Sequence, residues 1–474
     1  MTAILIALFR MACAVLDYFT DVMPMQQQSG PLVRKKALHD VCRNHYKKIV
    51  DTATDRGLPM GYPIIVREAL RAGTIHSLGA WYEKNSKGGS TSIRQVALKT
   101  MRIAQISPLY ESVPPRYYGG TERIVSYLTE ELHRQGHEVT LFASGDSVTS
   151  AKLVAVCPRS LRLNKDCVDQ MAHHILMLEH VFQLADGFDV LHFHVDYLHF
   201  LISRRQPLVQ VTTLHGRLDI PDLAPLYREF REMPLVSISN AQREPLPWAN
   251  WQATVYHGLP EDMYRFQPEQ GTYFAFLGRI SPEKRVDRAV EIAKRVGIPL
   301  KIAAKVDRAD KDYFEAVVKP LLDDSLIEYV GEIGDGEKDE FLGKAFAMLF
   351  PIDWPEPFGL VMIEAMACGT PVIAYRNGSV PEIMEQGRTG FVVTSLDDAV
   401  AAARMIPKFN RVRCREIFEQ RFSARRMAAN YVRVYERLVC SQQDQPARRL
   451  GHDGRGSYSR QRTLLHPLDI TPHR

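Results

Sequence analysis

The chain has 474 residues, 45% apolar and 24% charged, which is the composition of an ordinary globular protein of two or three domains. Its seven cysteines (Cys13, Cys42, Cys157, Cys167, Cys368, Cys414, Cys440) are odd in number and form no C-x-x-C pair, which points away from a disulfide framework or a zinc site and toward a reducing cytoplasm. The net charge of +5 belongs to the ends: residues 1–100 carry 14 Lys/Arg against 7 Asp/Glu and 441–474 carry 6 against 3, whereas 101–440 carry 40 against 45, so the body is a poor match for nucleic acid.

Residues 3–16 are apolar but interrupted by Arg10. The run falls short of the roughly 20 residues a membrane span needs and has no basic start before its apolar part, so it reads as an amphipathic or partly buried helix, not a span or a signal peptide. Short helical patterns at 35–51 and 64–72 lead into the Gly/Ser-rich stretch Lys87-Gly-Gly-Ser-Thr-Ser92. Residues 1–100 are unlike the rest of the chain and are expected to be an N-terminal extension, either an appendage or an over-extended reading frame. Their basic balance would suit contact with an anionic membrane surface, although a solvated tail explains it as well.

Met101-Arg-Ile-Ala-Gln-Ile-Ser-Pro108 reads as the buried first strand of a doubly wound sheet. A helix over 121–135 comes next, then strands at 139–143, 190–194, 209–214 and 235–239. Glu244-Pro-Leu-Pro-Trp248 and Gly258-Leu-Pro260 punctuate the chain. A second series then alternates strands at 273–277, 300–304, 327–330, 347–351 and 372–375 with helices at 285–296, 312–322 and 338–347. Such alternation predicts two α/β units with parallel sheets and a cleft between them. The expected division is 101–262, 263–421, a closing helix over 422–440, and a disordered Arg- and Gly-rich tail over 441–474.

The most informative stretch is Glu356-Pro-Phe-Gly-Leu-Val-Met-Ile-Glu364. Pro355 and Pro357 stiffen the loop around Glu356. Phe358, Gly359 and Leu360 are expected to form the first turn of a helix, whose free N–H groups and positive dipole end attract an anion. Glu364 lies one turn further, among Val361, Met362, Ile363, Ala365 and Met366. A carboxylate so placed needs a partner, and sugar hydroxyls would serve. Gly278-Arg279-Ile-Ser-Pro-Glu-Lys284 comes after the first strand of the second unit and supplies two cations to clamp a diphosphate. Gly119-Gly120 comes after the first strand of the first unit, where it allows close approach of a phosphate or sugar, or is plain turn chemistry. No G-x-G-x-x-G follows a strand, which disfavours nicotinamide and flavin. His215 closes the strand at 209–214 and could bond a sugar hydroxyl or polarise a reacting centre. His192, His194 and His199 lack metal-ligand companions and read as structural or as cleft lining, with Asp196 as an acceptor contact. No apolar strand ends in Asp-x-Asp, so no divalent metal is expected.

Together these residues resemble the retaining nucleotide-sugar glycosyltransferases of family four, which have the GT-B architecture of two Rossmann-like domains facing a cleft. The resemblance covers about 101–438. It rests on the E-x7-E pattern of Glu356 and Glu364, with support from Gly278-Arg279 and Lys284, Gly119-Gly120, His215-Gly216, Gly369-Thr-Pro371 and Phe422-Ser423. The family implies that Arg279, Lys284 and the amides near Phe358, Gly359 and Leu360 bind the donor diphosphate. It implies that Glu364 holds ribose hydroxyls, that Glu356 contacts the donor sugar near its reactive carbon, and that His215 assists at the sugar. Gly120 would line the phosphate and acceptor side, and the helix after Phe422 would cross back to the first domain. The implied reaction moves a hexose from a UDP- or GDP-sugar to a hydroxyl of a saccharide or lipid-linked saccharide, with retention, in polysaccharide or glycolipid synthesis. It would run in the cytoplasm, or at the inner face of the membrane, with no cofactor. Acceptor contacts are expected from loops 111–118 and 220–227. The alternatives are a nucleotide-sugar epimerase or a phosphorylase on the same plan, or a nucleotide-sugar binding protein without catalysis. The resemblance assigns nothing to residues 1–100 or to the tail.

Overall fold

The computed structural model describes residues 100–443, apart from Tyr118 and Leu163. The helices expected within 1–100, the extension's role and the disorder expected of the tail lie outside the described residues.

Two all-parallel sheets dominate. The first comprises β1 (Arg102–Ile106), β2 (Glu138–Ala143), β3 (Lys152–Ala155), β4 (Val190–Phe193), β5 (Gln210–Thr213), β6 (Leu235–Ser237) and β7 (Trp251–Thr254), in the order β3-β2-β1-β4-β5-β6-β7. Its helices are α1 (Gly120–Arg134), α2 (Gln170–Gln183), α3 (Leu223–Glu229) and the single turn α4 (Asn240–Arg243), with a further single turn at Phe200–Ser203. The second sheet comprises β8 (Tyr273–Ile280), β9 (Leu300–Val306), β10 (Ile327–Gly331), β11 (Ala345–Phe350), β12 (Val372–Tyr375) and β13 (Gly390–Val393), in the order β10-β9-β8-β11-β12-β13. With it go α5 (Val286–Val296), α6 (Asp335–Gly343), α7 (Leu360–Ala367), α8 (Leu396–Met405) and α9 (Arg411–Arg421), and the chain closes with α10 (Ala424–Gln443). Both orders are doubly wound, with the strand order reversing between β1 and β4 and between β8 and β11. Ligands in such sheets bind beyond the carboxyl ends of the strands at that reversal.

The central strands are buried on both faces, as continuous apolar runs such as Ala345–Phe350 require. Sequence pattern alone misses β3, β7 and β13. Each lies at or near a sheet edge, and β3 and β7 are only half-buried and carry polar residues, so no apolar run marks them. The helix expected at 312–322 is instead one α turn, a widened turn at Phe314–Val318 and a tight turn at Lys319–Asp323. Pro320 removes a backbone donor there and crowds the preceding turn. The helix expected at 338–347 starts three residues earlier because the Glu337 carboxylate accepts from the Gly334 N–H at 2.9 Å. It ends at Gly343, since Ala345 onward pairs into β11.

α10 returns to the first sheet. Leu259 bridges Ser423, with the Leu259 N–H donating to Phe422 O at 2.9 Å and the Ala424 N–H to Leu259 O at 2.8 Å. Tyr431 and Tyr435 then bury completely beneath β1, β4 and β5, where Gln105, His192 and Thr213 bond them. One apolar cluster runs from Ile103, Leu128 and Val211 through Leu259 and Phe422 to Met362 and Met366, so the two halves share a core along this crossing. Among the described residues no helix is long and apolar enough to cross a membrane.

Candidate active site

The two strand reversals face each other across a cavity of about 700 Å³. Every residue singled out by the sequence for donor chemistry lines it: Gly119, Gly120 and His215 from the first half, and Gly278, Arg279, Lys284, Glu356, Phe358, Gly359, Leu360 and Glu364 from the second.

On the second half, α7 begins at Leu360, not at Phe358. Gly359 is its cap and takes φ 79°, a left-handed conformation that suits glycine, and a side chain there would meet Met362 Cε at 2.7 Å. Phe358 lies outside the helix and is buried, its carbonyl accepting from Ser379 Oγ at 2.9 Å. Gly359, Leu360 and Val361 at the start of α7 line the cavity, where the free amides of a first turn attract an anion; the Met362 N–H is already taken by Gly359 O at 3.0 Å.

Glu356 is held from behind. Its N–H donates to Trp354 O at 2.8 Å and its carbonyl accepts from the Ser379 N–H at 2.9 Å. Its carboxylate accepts from Lys284 Nζ, and from Trp354 Nε1 at 3.1 Å. Lys284 in turn lies over the Trp354 ring, 4.8 Å from its centroid. Arg279 pairs with Glu283 at 2.5 Å and stands 3.6 Å from Asp310 and 3.8 Å from Asp307. The sequence reads Arg279 and Lys284 as cations waiting for a diphosphate. In the structure both are already matched by carboxylates, because a cation in a partly dry cleft requires counter-charge. An incoming diphosphate would exchange with those acids.

Glu364 is 2% exposed. Its Oε1 accepts from Lys338 Nζ at 3.1 Å, while Oε2 has no hydrogen-bond partner among the described residues. A carboxylate oxygen buried without a partner is costly, and Glu364 belongs to the cavity lining, so a ligand group that reached it would supply the missing bond. Lys338 also reaches Asp335 at 3.3 Å, and Asp335 pairs with Arg123 of α1. Arg123 is buried and donates to Tyr117 O at 2.7 Å as well. A line of alternating charge thus ties the first half of the molecule to Glu364.

On the first half, Gly119 packs against Pro115, and Gly120 opens α1 facing Leu360. His215 Nε2 lies 2.9 Å from His194 Nδ1, and its ring stacks on His257 with centroids 5.3 Å apart. His215 Nδ1 has no partner among the described residues. Burial lowers the His215 pKa to about 3 and holds His192, His194 and His257 well below the usual range. His215 is therefore a neutral hydrogen-bonding group here, too weak a base to take a proton at neutral pH. His192 and His199 are structural: His199 bonds Ser203 Oγ at 2.6 Å and Thr212 Oγ1 at 2.8 Å. His194 and Asp196 line the cavity, and so does Tyr117 of the first acceptor loop. No residue of 220–227 does, and Tyr227 is buried against Phe200.

Sequence reasoning missed Lys338, Arg123, Trp354, His257 and Gly378. Arg123 stands only three residues past Gly120, but its partner is 212 positions away and leaves no local signal. Among the described residues no three His, Cys, Asp or Glu side chains gather as a metal site.

The family model for glycosyl transferases group 1 matches residues 264–413, and the model for glycosyltransferase family 4 matches residues 118–253. The chain belongs to the family 4 glycosyltransferases and has the GT-B architecture. It is 26% identical over 366 residues to the N-acetyl-alpha-D-glucosaminyl L-malate synthase of Bacillus anthracis, across 67% of this chain and 93% of that one. It is 24% identical over 381 residues to the phosphatidyl-myo-inositol mannosyltransferase of Mycobacterium leprae (strain TN), across 72% and 98%. Among solved structures it resembles Anabaena HepE in complex with UDP and glucose, with a TM-score of 0.56 at 15% identity, across 71% of this chain and 100% of that one.

Proposed function

We propose that this glycosyltransferase is a retaining hexosyltransferase. It takes the hexose of a nucleoside diphosphate sugar and passes it to a hydroxyl of a saccharide or lipid-linked saccharide, in polysaccharide or glycolipid synthesis. The observation that carries the reading is the unpartnered Oε2 of buried Glu364, a residue of the cavity lining one turn inside the helix that starts at that lining. The UDP and glucose named with the Anabaena structure, and the sugar transfer named for the two bacterial relatives, support it.

Glu364 accepts from the ribose hydroxyls. Arg279, Lys284 and the amides of Gly359 and Leu360 take the diphosphate, displacing the carboxylates that now face the two cations. Gly278, where a side chain would meet nothing within 4 Å, leaves room beside them. Glu356 lies near the sugar's reactive carbon, and His215 bonds one of its hydroxyls. As the bond from that carbon to the diphosphate oxygen breaks, negative charge grows on the phosphate, where the cations and helix amides stabilise it most. The acceptor oxygen bonds to the same face, and its proton passes to the departing phosphate oxygen. Gly119, Gly120 and Tyr117 line the acceptor end. We place the reaction in the cytoplasm, in keeping with five free cysteines among the described residues, and assign the donor domain to 263–421.

A panel of UDP- and GDP-hexoses with saccharide acceptors, followed by proton NMR of the product, tests this. The expected result is a new glycosidic bond with the donor's anomeric configuration. An inverted product, or donor conversion without any acceptor, overturns it.

A further inference from the structure

A chain of seven side chains runs from α10 to the cleft. Tyr431 OH lies 2.9 Å from Thr213 Oγ1, which lies 2.7 Å from His192 Nε2. His192 Nδ1 is 2.7 Å from Tyr435 OH, which accepts from Gln105 Nε2 at 3.2 Å. Gln105 Oε1 is 2.8 Å from His194 Nε2, and His194 Nδ1 is 2.9 Å from His215 Nε2. The first six members are buried to 2% exposure or less. Polar groups that deep keep their partners, and linked groups polarise one another.

Hydroxyls and neutral imidazoles each give one proton and take one, so such a chain could point either way. The Gln105 amide decides, because its two ends are not interchangeable. Its nitrogen donates to Tyr435, and its oxygen can only accept. His194 therefore donates from Nε2 and carries a lone pair on Nδ1. His215 then donates to that lone pair from Nε2, which leaves its own Nδ1 unprotonated. That is the nitrogen with no partner among the described residues.

We infer that Gln105 and His194 are positioning residues that lock His215 as its Nε2–H tautomer, and that Tyr435 of α10 anchors them. His215 then presents a lone pair only: it accepts a hydrogen bond from a sugar hydroxyl and cannot donate one to the ring or the leaving oxygen. The sugar's part rests on the transferase reading above, whereas the tautomer does not.

The test uses the full-length protein with 15N-labelled histidine at neutral pH and no substrate. His215→Gln, at the cavity wall, identifies the His215 signals by difference. The expected spectrum shows a non-protonated Nδ1 and a protonated Nε2; a protonated Nδ1 overturns the inference even if transfer is confirmed. If transfer is observed, His194→Leu should lower kcat/KM about tenfold. His194→Asn, whose side-chain oxygen can stand near the place of Nδ1, should recover most of that. Equal losses in both variants at unchanged melting temperature would contradict the positioning role. If no sugar is ever transferred, the NMR result still decides the tautomer.

Discussion

Glu364 was legible from sequence because a carboxylate among Val361, Met362, Ile363 and Met366 cannot be left alone. Its partner was not legible, because Lys338 comes from a different helix, 26 positions away. Replacing Glu364 with Gln keeps the shape but removes the charge that balances Lys338 and accepts from the ligand. We expect kcat/KM to fall about 10- to 100-fold, mainly through the donor KM, as initial rates at varied donor would show. The buried histidines make a second prediction. His137, His174, His192, His194, His199, His215 and His257 are all held below their ordinary pKa by burial. Once unfolded they take up protons near pH 6.5, so acid favours the unfolded chain. Their contribution is fully present above about pH 6.5 and fades as pH falls toward about 3, where His199 and His215 titrate in the fold. Glu111, Glu122 and Asp196, raised by burial, act in the opposite sense but are three against seven. The melting temperature should drop between pH 7.5 and 5; a flat or rising curve would count against neutral burial.

At the scale of elements, the strand and helix alternation gave away the central strands, while α6 and the 311–323 segment were set by a side-chain cap and by Pro320. The loop that carries Glu356 shows the same limit. Its prolines suggest stiffness, but its position depends on Gly378. Gly378 takes φ 51°, and a methyl group there would come 2.4 Å from the backbone N and O of Glu356. Backbone cannot yield as a flexible side chain does, so Gly378→Ala should push the loop away from Lys284. We expect a loss of about 1–3 kcal/mol in unfolding free energy. Activity should fall more than the fraction unfolded explains, measurable by denaturant titration beside initial rates. Full activity in a stable variant would mean that the loop is not held in this way.

At the scale of the whole molecule, two doubly wound sheets aim their strand reversals at one cavity, and this much followed from the order of strands and helices. The ties across the cleft did not follow, because ion pairs between distant segments leave no periodicity. The Arg123–Asp335 pair is the clearest of them. Arg123→Met keeps the stem but frees Asp335 to compete with Glu364 for Lys338. Donor affinity should weaken about tenfold, and small-angle scattering should report a larger radius. An unchanged radius and affinity would show that the pair does not hold the halves together. The sequence also predicts transfer without a divalent metal. Activity should therefore survive EDTA, and complete loss restored by manganese would refute that expectation.

The central claim is that the second half grips a nucleoside diphosphate through Arg279, the front of α7 and Glu364. Titration calorimetry with UDP and with GDP tests it most directly, on the unaltered protein and on Arg279→Ala and Glu364→Ala. The account predicts saturable one-to-one binding of at least one nucleotide, weakened about tenfold or more in each variant. Binding of equal strength in all three proteins, or none to the unaltered one, would contradict it.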